Sequence, residues 1–207
     1  IMARLLFTSI EFRSIADPVD LEQKKRLSTL IGKPVQFMKQ SHSDQVISIS
    51  TDIADGQINS IPDADALVSD QSNIALAVRV ADCLPLLLYS TAVVAAVHVG
   101  RKGLLNKVAL NTVAQMRSLG AEKISGTVGP HICGNCYEVD SQMFAEITKT
   151  HPATAGRGNH LNLFAGLAAQ ISDVELLNLD ICTKESSDYY SHRRDGQPGR
   201  QIGLICL

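Results

Sequence analysis

Three side chains that can bind a metal ion fall at turns or strand ends of the predicted structure. His42 lies in the polar segment 41–44, Cys83 separates two apolar runs, and His98 ends a third run. One soft thiolate and two imidazoles form a suitable ligand set for Zn²⁺, and they would also accept copper. Three protein ligands leave a fourth coordination position for water or substrate, which catalytic zinc requires. These residue types are therefore compatible with a catalytic metal site.

The same three residues allow two other interpretations. Cys83 would act as a small buried hydrophobe if the histidines were hydrogen-bonded independently, and no short metal motif joins the three positions. Alternatively, Cys83 would be the nucleophile and His98 its base in a metal-free hydrolase or deamidase. Spacing alone leaves the metal site, the structural role and covalent catalysis open.

A C-x-x-C pair and a nearby histidine form a second region of interest. Cys133 and Cys136 could be a redox pair or half of a zinc knuckle. Because the sequence has no second C-x-x-C, the pair is predicted to be a structural turn. His131, just before this turn, is a candidate pocket residue.

Cations near the C-terminus and beside His98 are candidates for binding an anionic substrate. Arg193 and Arg194 precede the last predicted strand, and Lys102 follows His98 closely. Arginine can hold phosphate or carboxylate through two parallel hydrogen bonds. The competing interpretation is a solvated turn in which Arg194 pairs with Asp195.

The composition argues against a nucleic-acid-binding or membrane protein. The 207 residues are 45% hydrophobic, 19% charged and 4% aromatic, with a formal net charge of −2. DNA, RNA and anionic membranes would require clustered Lys and Arg. The early apolar run 5–7 is too short for a signal peptide, and five cysteines are an odd count. We therefore predict reduced thiols and a cytoplasmic location, while the oligomeric state stays open.

The pattern of apolar residues predicts one α/β domain over residues 1–207. Several strands are continuous apolar runs, which are typical of sheets covered on both faces, and the partial alternation with helices predicts mixed sheets. The predicted strands are 35–39, 46–50, 66–68, 74–80, 84–89, 93–99, 124–128 and 202–206. The predicted helices are 20–31, 104–119, 141–148 and 163–177.

Seven short segments together resemble the laccase-domain family of purine nucleoside phosphorylases, also described as multicopper polyphenol oxidases. The resemblance runs in the family's order over about residues 35–207. The segments are Gln40-Ser41-His42, Ala64-Asp65-Ala66-Leu67-Val68-Ser69, Ala81-Asp82-Cys83-Leu84-Pro85, Val97-His98-Val99-Gly100-Arg101-Lys102-Gly103, Gly129-Pro130-His131-Ile132, Cys136-Tyr137-Glu138-Val139 and Ser191-His192-Arg193-Arg194-Asp195-Gly196.

The resemblance implies a four-layer α/β/β/α sandwich with mixed sheets and a zinc site at His42, Cys83 and His98, which would also be the catalytic residues. It implies phosphorolysis of adenosine, inosine and methylthioadenosine to base and ribose 1-phosphate, with adenosine deamination as a second activity. Lys102, His131, Arg193 and Arg194 are the candidates for binding the substrate. The laccase label would mean copper-dependent phenol oxidation, which requires several copper ions and more histidines than six scattered ones readily supply.

The chain departs from the family's pattern at four positions. Arg101 stands where the family usually has Trp, Lys102 where it has Arg, Asn162 where it has Asp, and His192 where it has Tyr. Loss of the Trp removes a flat surface for stacking a purine. A non-catalytic descendant that keeps the fold and the metal is therefore a further hypothesis.

Overall fold

The structure of the protein is a computed structural model that describes residues 2–15, 21–50, 61–196 and 198–207. The strands within these ranges are β1 (Arg4–Phe7), β2 (Val35–Gln36), β3 (Val46–Ser48), β4 (Ala66–Ser69), β5 (Ala75–Val80), β6 (Leu84–Tyr89), β7 (Val94–Val99), β8 (Ser125–Val128), β9 (Glu175–Asn178) and β10 (Gln201–Cys206). The helices are α1 (Leu21–Ile31), α2 (Arg101–Leu105), α3 (Val108–Ser118), α4 (Ser141–Thr150), α5 (Leu163–Gln170) and α6 (His192–Asp195).

Two mixed sheets form the centre of the fold. The four-stranded sheet has the order β1-β10-β5-β2, and only the β2–β5 pair in it is parallel. The six-stranded sheet has the order β3-β4-β7-β6-β8-β9, with parallel pairs at its two edges. The predicted α/β class with mixed sheets is confirmed.

Three apolar layers hold α1, the two sheets and the remaining helices together. Leu27 of α1 packs with strand residues of the four-stranded sheet, and Leu76 and Leu87 lie in the layer between the sheets. Leu86 and Leu88 of β6 face helices α2 to α5 instead. Successive side chains of a strand point to opposite faces, so a continuous leucine run fills two layers. This arrangement is the predicted α/β/β/α sandwich.

Two predicted helices are wrong in their extent. The predicted helix 104–119 is broken, because Lys107 adopts a left-handed conformation with φ of 65° between α2 and α3. The predicted helix 163–177 ends at Gln170, and the chain then forms the edge strand β9, which pairs in parallel with β8. The sheet edge supplies backbone partners that override the local helical pattern.

Two further points concern the N-terminal region and membranes. The short apolar run near the N-terminus is strand β1, which pairs with β10 and was not predicted as a strand. The start of the first predicted helix, Asp20, lies outside the described residues. Among the helices of the described ranges, none is long and apolar enough to cross a membrane.

Candidate metal centre and cleft

The strand topology brings His42, Cys83 and His98 to one end of the sandwich. His42 follows β2 and Cys83 follows β5, and these strands are parallel, so their C-terminal ends lie at the same edge. After each of these residues the chain continues into the six-stranded sheet, through β3 and β6. His98, near the end of β7, pairs with Pro85 at the start of β6. Residues distant in sequence therefore meet between the sheets.

The three side chains have a geometry that suits a metal ion. His42 Nε2 lies 3.9 Å from Cys83 Sγ, and the ligand atoms of all three residues lie within 4.8 Å of one another. Ideal tetrahedral zinc with ordinary Zn–S and Zn–N bonds would separate sulfur from nitrogen by about 3.6 Å. His98 is buried, Cys83 is partly buried and His42 is exposed, so the group is open to solvent on the His42 side.

Asp65, a fully buried carboxylate, orients both histidines. A hydrogen bond of 2.7 Å joins its Oδ1 to His98 Nδ1, which leaves His98 Nε2 for an ion. The carboxylate also accepts the backbone N–H groups of Ser41, His42 and Ser43. These bonds hold His42 in a left-handed conformation with φ of 63°, which is uncommon for a residue with a side chain. A carboxylate behind a ligating histidine is a recurrent partner in metal sites.

Gly100 provides the space in which the ligands meet. A Cβ atom at this position would lie 2.9 Å from Cys83 Sγ and 2.9 Å from His42 Cδ2, which is closer than real contacts allow. Its φ of −84° is open to any residue, so contact with the ligands, rather than backbone strain, requires glycine here.

The electrostatics of the group favour a thiolate beside a charged imidazole when no metal is bound. Burial raises the pKa of Cys83, but the His98 charge and a hydrogen bond with His42 outweigh it and lower the pKa to about 6. Burial lowers the pKa of His98, but the Cys83 thiolate and Asp65 outweigh it and raise the pKa to about 9. The pKa of Asp65 is lowered well below its usual range, since hydrogen bonds from His98 and Ser43 outweigh burial.

We expect the metal-free protein to show this thiolate in its alkylation by iodoacetamide. The rate at Cys83, followed by mass spectrometry of its peptide, should rise through a midpoint near pH 6 and reach a plateau by neutral pH. An ordinary thiol, such as the same residue in urea, should rise through about pH 8.5 because only the thiolate reacts. A midpoint above pH 8 in the folded protein would contradict the assigned charge pair.

A cleft of about 550 Å³ opens over the three residues. This volume is within the range of about 300–1,000 Å³ that is typical of small-molecule sites. Four arginines are among its lining residues, against one carboxylate, Asp82. The full lining is Gln40, His42, Arg79, Val80, Ala81, Asp82, Cys83, His98, Arg101, Ile132, Tyr137, Leu163, His192, Arg193, Pro198 and Arg200. The cleft therefore suits an anionic ligand.

Of the four residues predicted to bind substrate, Arg193 lines the cleft and the other three lie elsewhere. Lys102 is exposed on α2. His131 is buried, with Nδ1 bonded to the Gly129 carbonyl at 2.8 Å and its ring stacked near Phe164. The geometry gives neither residue contact with the cleft.

The guanidinium group of Arg194 is hydrogen-bonded within the protein. Its guanidinium donates to the backbone carbonyls of Thr183, Ser186 and Tyr189 and to the carboxylate of Asp195. The alternative pairing with Asp195 that the sequence suggested is therefore present. These bonds hold the segment before α6 in place, and Arg194 is not among the residues that line the cleft.

Three of the positions that depart from the family pattern lie at the start of α5 or in the cleft. Asn162 caps α5, where its side chain accepts the Ala165 N–H at 2.9 Å, as an aspartate would. Arg101 and His192 line the cleft. Aromatic surface remains at Tyr137, with the Arg193 guanidinium 5.2 Å from its ring centre.

Three residues at the site, Asp65, Asp82 and Gly100, have no role assigned from the sequence. Asp82, with φ of 91°, accepts the Arg193 N–H at 2.6 Å and the Thr183 hydroxyl at 2.7 Å. The position of Asp82 directly before Cys83, and of Gly100 two residues after His98, are signals that could identify these two. Asp65 adjoins none of the three ligand candidates in the sequence.

Comparison with known proteins identifies relatives over most of the chain. A family model described as multi-copper polyphenol oxidoreductase laccase matches residues 17–207. A protein of Corynebacterium glutamicum named purine nucleoside phosphorylase is 38% identical over 198 residues, covering 89% of this chain and 80% of the relative. One of Streptomyces coelicolor with the same name is 37% identical over 184 residues, covering 84% and 75%.

Solved structures share the fold over nearly the whole chain. A Neisseria meningitidis protein of the DUF152 family superposes with a TM-score of 0.82 at 27% identity, covering 99% of this chain and 94% of that one. A Bacillus licheniformis protein, YfiH, has a TM-score of 0.82 at 21% identity, covering 99% and 92%. At that identity the second match supports the fold alone.

Proposed function

We propose, from the premise that this chain belongs to the multi-copper polyphenol oxidoreductase laccase family, that it is a zinc-dependent purine nucleoside phosphorylase. Its substrates would be adenosine, inosine and methylthioadenosine, and adenosine deamination would be a second activity. The observation that carries the proposal is a Cys-His-His group at the base of an arginine-lined cleft.

The arginines of the cleft support phosphate as the second substrate. Arg193 lies at the N-terminus of α6, where its backbone N–H bonds to Asp82 and its guanidinium reaches the Glu138 carbonyl at 2.9 Å. Arg79, Arg101 and Arg200 also line the cleft. Guanidinium groups bind phosphate oxygens through paired, charge-assisted hydrogen bonds. An anion held here would lie beside the Cys-His-His group.

Phosphorolysis requires the cleft to hold phosphate against the sugar. A phosphate oxygen forms a bond to the anomeric carbon while the bond from that carbon to the purine nitrogen breaks. The electron pair leaves with the base, which takes up a proton at that nitrogen. The arginines would orient the nucleophile and screen its charge, and Tyr137 would offer apolar surface to the nucleoside.

His42, Cys83 and His98 are the proposed zinc ligands, with Asp65 as the residue that positions both histidines. When bound, zinc in a three-ligand site supplies a Lewis acid with an open coordination position. Deamination of adenosine would replace the purine amino group with oxygen from water and release ammonia. The chain's own contribution would be to hold the base in the cleft beside His42, Cys83 and His98.

Two other activities and one non-catalytic role stay as alternatives. A metal-free Cys-His hydrolase or deamidase is favoured by one observation, the lowered pKa of Cys83 beside His98. Copper-dependent phenol oxidation rests on the description of the matching family. A non-catalytic metal-binding descendant would keep the ligands without turnover. All three are separated from the proposal by an assay of products with and without metal.

We expect zinc-loaded protein to release free base from the three nucleosides only when inorganic phosphate is present, together with ribose 1-phosphate from adenosine and inosine and 5-methylthioribose 1-phosphate from methylthioadenosine. Mass spectrometry of the products checks this result, and inosine formed from adenosine without phosphate checks deamination.

Arg193→Ala should raise the phosphate KM by roughly 10–100-fold, because a charge-assisted hydrogen bond contributes about 1.5–3 kcal/mol.

The matched control for the arginine is Arg157→Ala, which removes an exposed arginine that does not line the cleft. Its phosphate KM should equal that of the unaltered protein. Absence of base release from all three nucleosides would overturn the phosphorylase proposal. Turnover that survives complete chelation would instead favour the Cys-His mechanism.

A further inference from the structure

We propose that this chain binds a second zinc ion at Cys133, Cys136, Cys182 and Glu185. The four ligand atoms lie within 4.8 Å of one another, although the two pairs are separated by 46 residues or more in sequence, from 136 to 182. Three soft sulfur ligands and one carboxylate select zinc among common divalent ions. With four protein ligands, the site is of the closed, structural type.

Cys182 and Glu185 form the second half of a zinc knuckle, and a search of the sequence for a second C-x-x-C does not find them. Cys133 and Cys136 bracket one tight turn, in which the Cys136 N–H bonds to the Cys133 carbonyl at 3.0 Å. Cys182 and Glu185 have the same spacing, and the next residue, Ser186, donates to the Cys182 carbonyl at 2.9 Å. The missing C-x-x-C is therefore a C-x-x-E, brought opposite the first pair by the fold.

Backbone pairing holds the two turns face to face. His131 and Cys182 form a parallel bridge, with the His131 N–H bonded to the Ile181 carbonyl and the Thr183 N–H bonded to the His131 carbonyl, both at 3.0 Å. The bridge positions both turns on the same side of this short ladder. The arrangement therefore does not depend on an ion to bring the ligands near one another.

The ligand atoms are close enough together to share one ion. Cys136 Sγ lies 3.2 Å from Glu185 Oε1, and the backbone N–H of Cys133 donates to Cys182 Sγ at 3.4 Å. A tetrahedral zinc ion would separate its sulfur ligands by about 3.8 Å. Cys182 is buried, the other two cysteines are partly buried and Glu185 is exposed, so an ion can enter from the Glu185 side.

The site would support the cleft without touching substrate. Thr183 follows the ligand Cys182 and donates its hydroxyl to Asp82, the neighbour of Cys83. The carbonyls of Thr183 and Ser186 accept the Arg194 guanidinium, which holds α6 and thereby Arg193. An ion that fixes the Cys182 turn would therefore fix one wall of the cleft.

The test counts zinc in the purified protein by elemental analysis. After zinc loading and removal of loosely bound ions, we expect about two zinc ions per chain for the unaltered protein and about one for Cys182→Ser. Cys206→Ala is the matched control, because Cys206 is a buried cysteine of β10 outside both ligand groups, and its zinc content should be unchanged. Substitution of zinc by cobalt(II) gives a second measurement, the thiolate-to-cobalt absorption. It should differ between the two sites, since this site has three thiolates and the His42 site has one.

Glu185→Gln keeps the proposal testable if Cys182→Ser does not fold, because Glu185 is exposed. This variant should lose one zinc ion to a competing chelator at least about tenfold more readily than the unaltered protein, since even outer-shell partners contribute about 10–100-fold to affinity. About one zinc ion in the unaltered protein, unchanged by Cys182→Ser and Glu185→Gln, would overturn the proposal. A disulfide among these cysteines in place of the second zinc would overturn it as well.

Discussion

Cys83→Ser should abolish zinc binding at the cleft and lower nucleoside turnover by more than about 100-fold. Loss of outer-shell partners alone reduces affinity or activity by about 10–100-fold, and loss of a thiolate ligand is expected to exceed this. A serine hydroxyl is a poor replacement because it stays protonated near neutral pH and is a harder donor than sulfur. Zinc content and single-substrate kinetics on the same preparation measure the two effects together.

The outcome of Cys83→Ser also separates the two catalytic hypotheses. If Cys83 is a zinc ligand, activity and one zinc ion per chain are lost together. If Cys83 is a metal-free nucleophile, activity is lost while the zinc content of the protein does not change. The unfolding temperature checks that the fold is retained in either case.

Gly100→Ala should have a comparable effect without removing any ligand. The added methyl group would lie 2.9 Å from Cys83 Sγ and from a carbon of the His42 ring, so at least one ligand must move. We expect zinc affinity and turnover to fall by about 10–100-fold, because small displacements of ligands have effects of this size. Alanine is also a weaker N-cap than glycine for α2, at a cost of about 1 kcal/mol or less.

Gly120→Ala is the matched control for Gly100→Ala. Gly120 follows α3, and no atom lies within 4 Å of a Cβ built there, but its φ of 91° makes alanine strained. Both variants should unfold a few degrees earlier, since about 1 kcal/mol lowers Tm by roughly 2–4 °C in a domain of this size. Only Gly100→Ala should lose zinc; equal zinc contents would show that the ligands tolerate the methyl group.

The layers and the main strands could be predicted because their signals are local. The leucine run of β6 and the apolar run of β7 indicated strands buried on both faces, and both are found in the six-stranded sheet. The ends of α2 and α5 could not be predicted in the same way. Lys107 breaks the pattern through a backbone conformation that its side chain does not signal, and β9 forms because the edge of β8 is available.

The meeting of His42, Cys83 and His98 depends on topology that residue types do not contain. Each of the three lies where a strand ends, but only the parallel pairing of β2 with β5 brings the first two together. The same limit applies to Arg194, whose partners are backbone carbonyls that any sequence offers. It applies also to Glu185, which the sequence shows only as an ordinary carboxylate. The fold places its Oε1 3.2 Å from Cys136 Sγ.

The bonds from Asp65 to the 41–43 turn and to His98 join groups of the chain itself. The ligands are thus held in a rigid receptor, and binding does not require the chain to order itself first. Removal of the metal ion from the cleft site with a chelator should consequently leave a folded apoprotein that can bind a metal ion again. The same folded protein could then be loaded in turn with zinc, copper or cobalt. The effect of each ion on activity could be measured without a change in the fold.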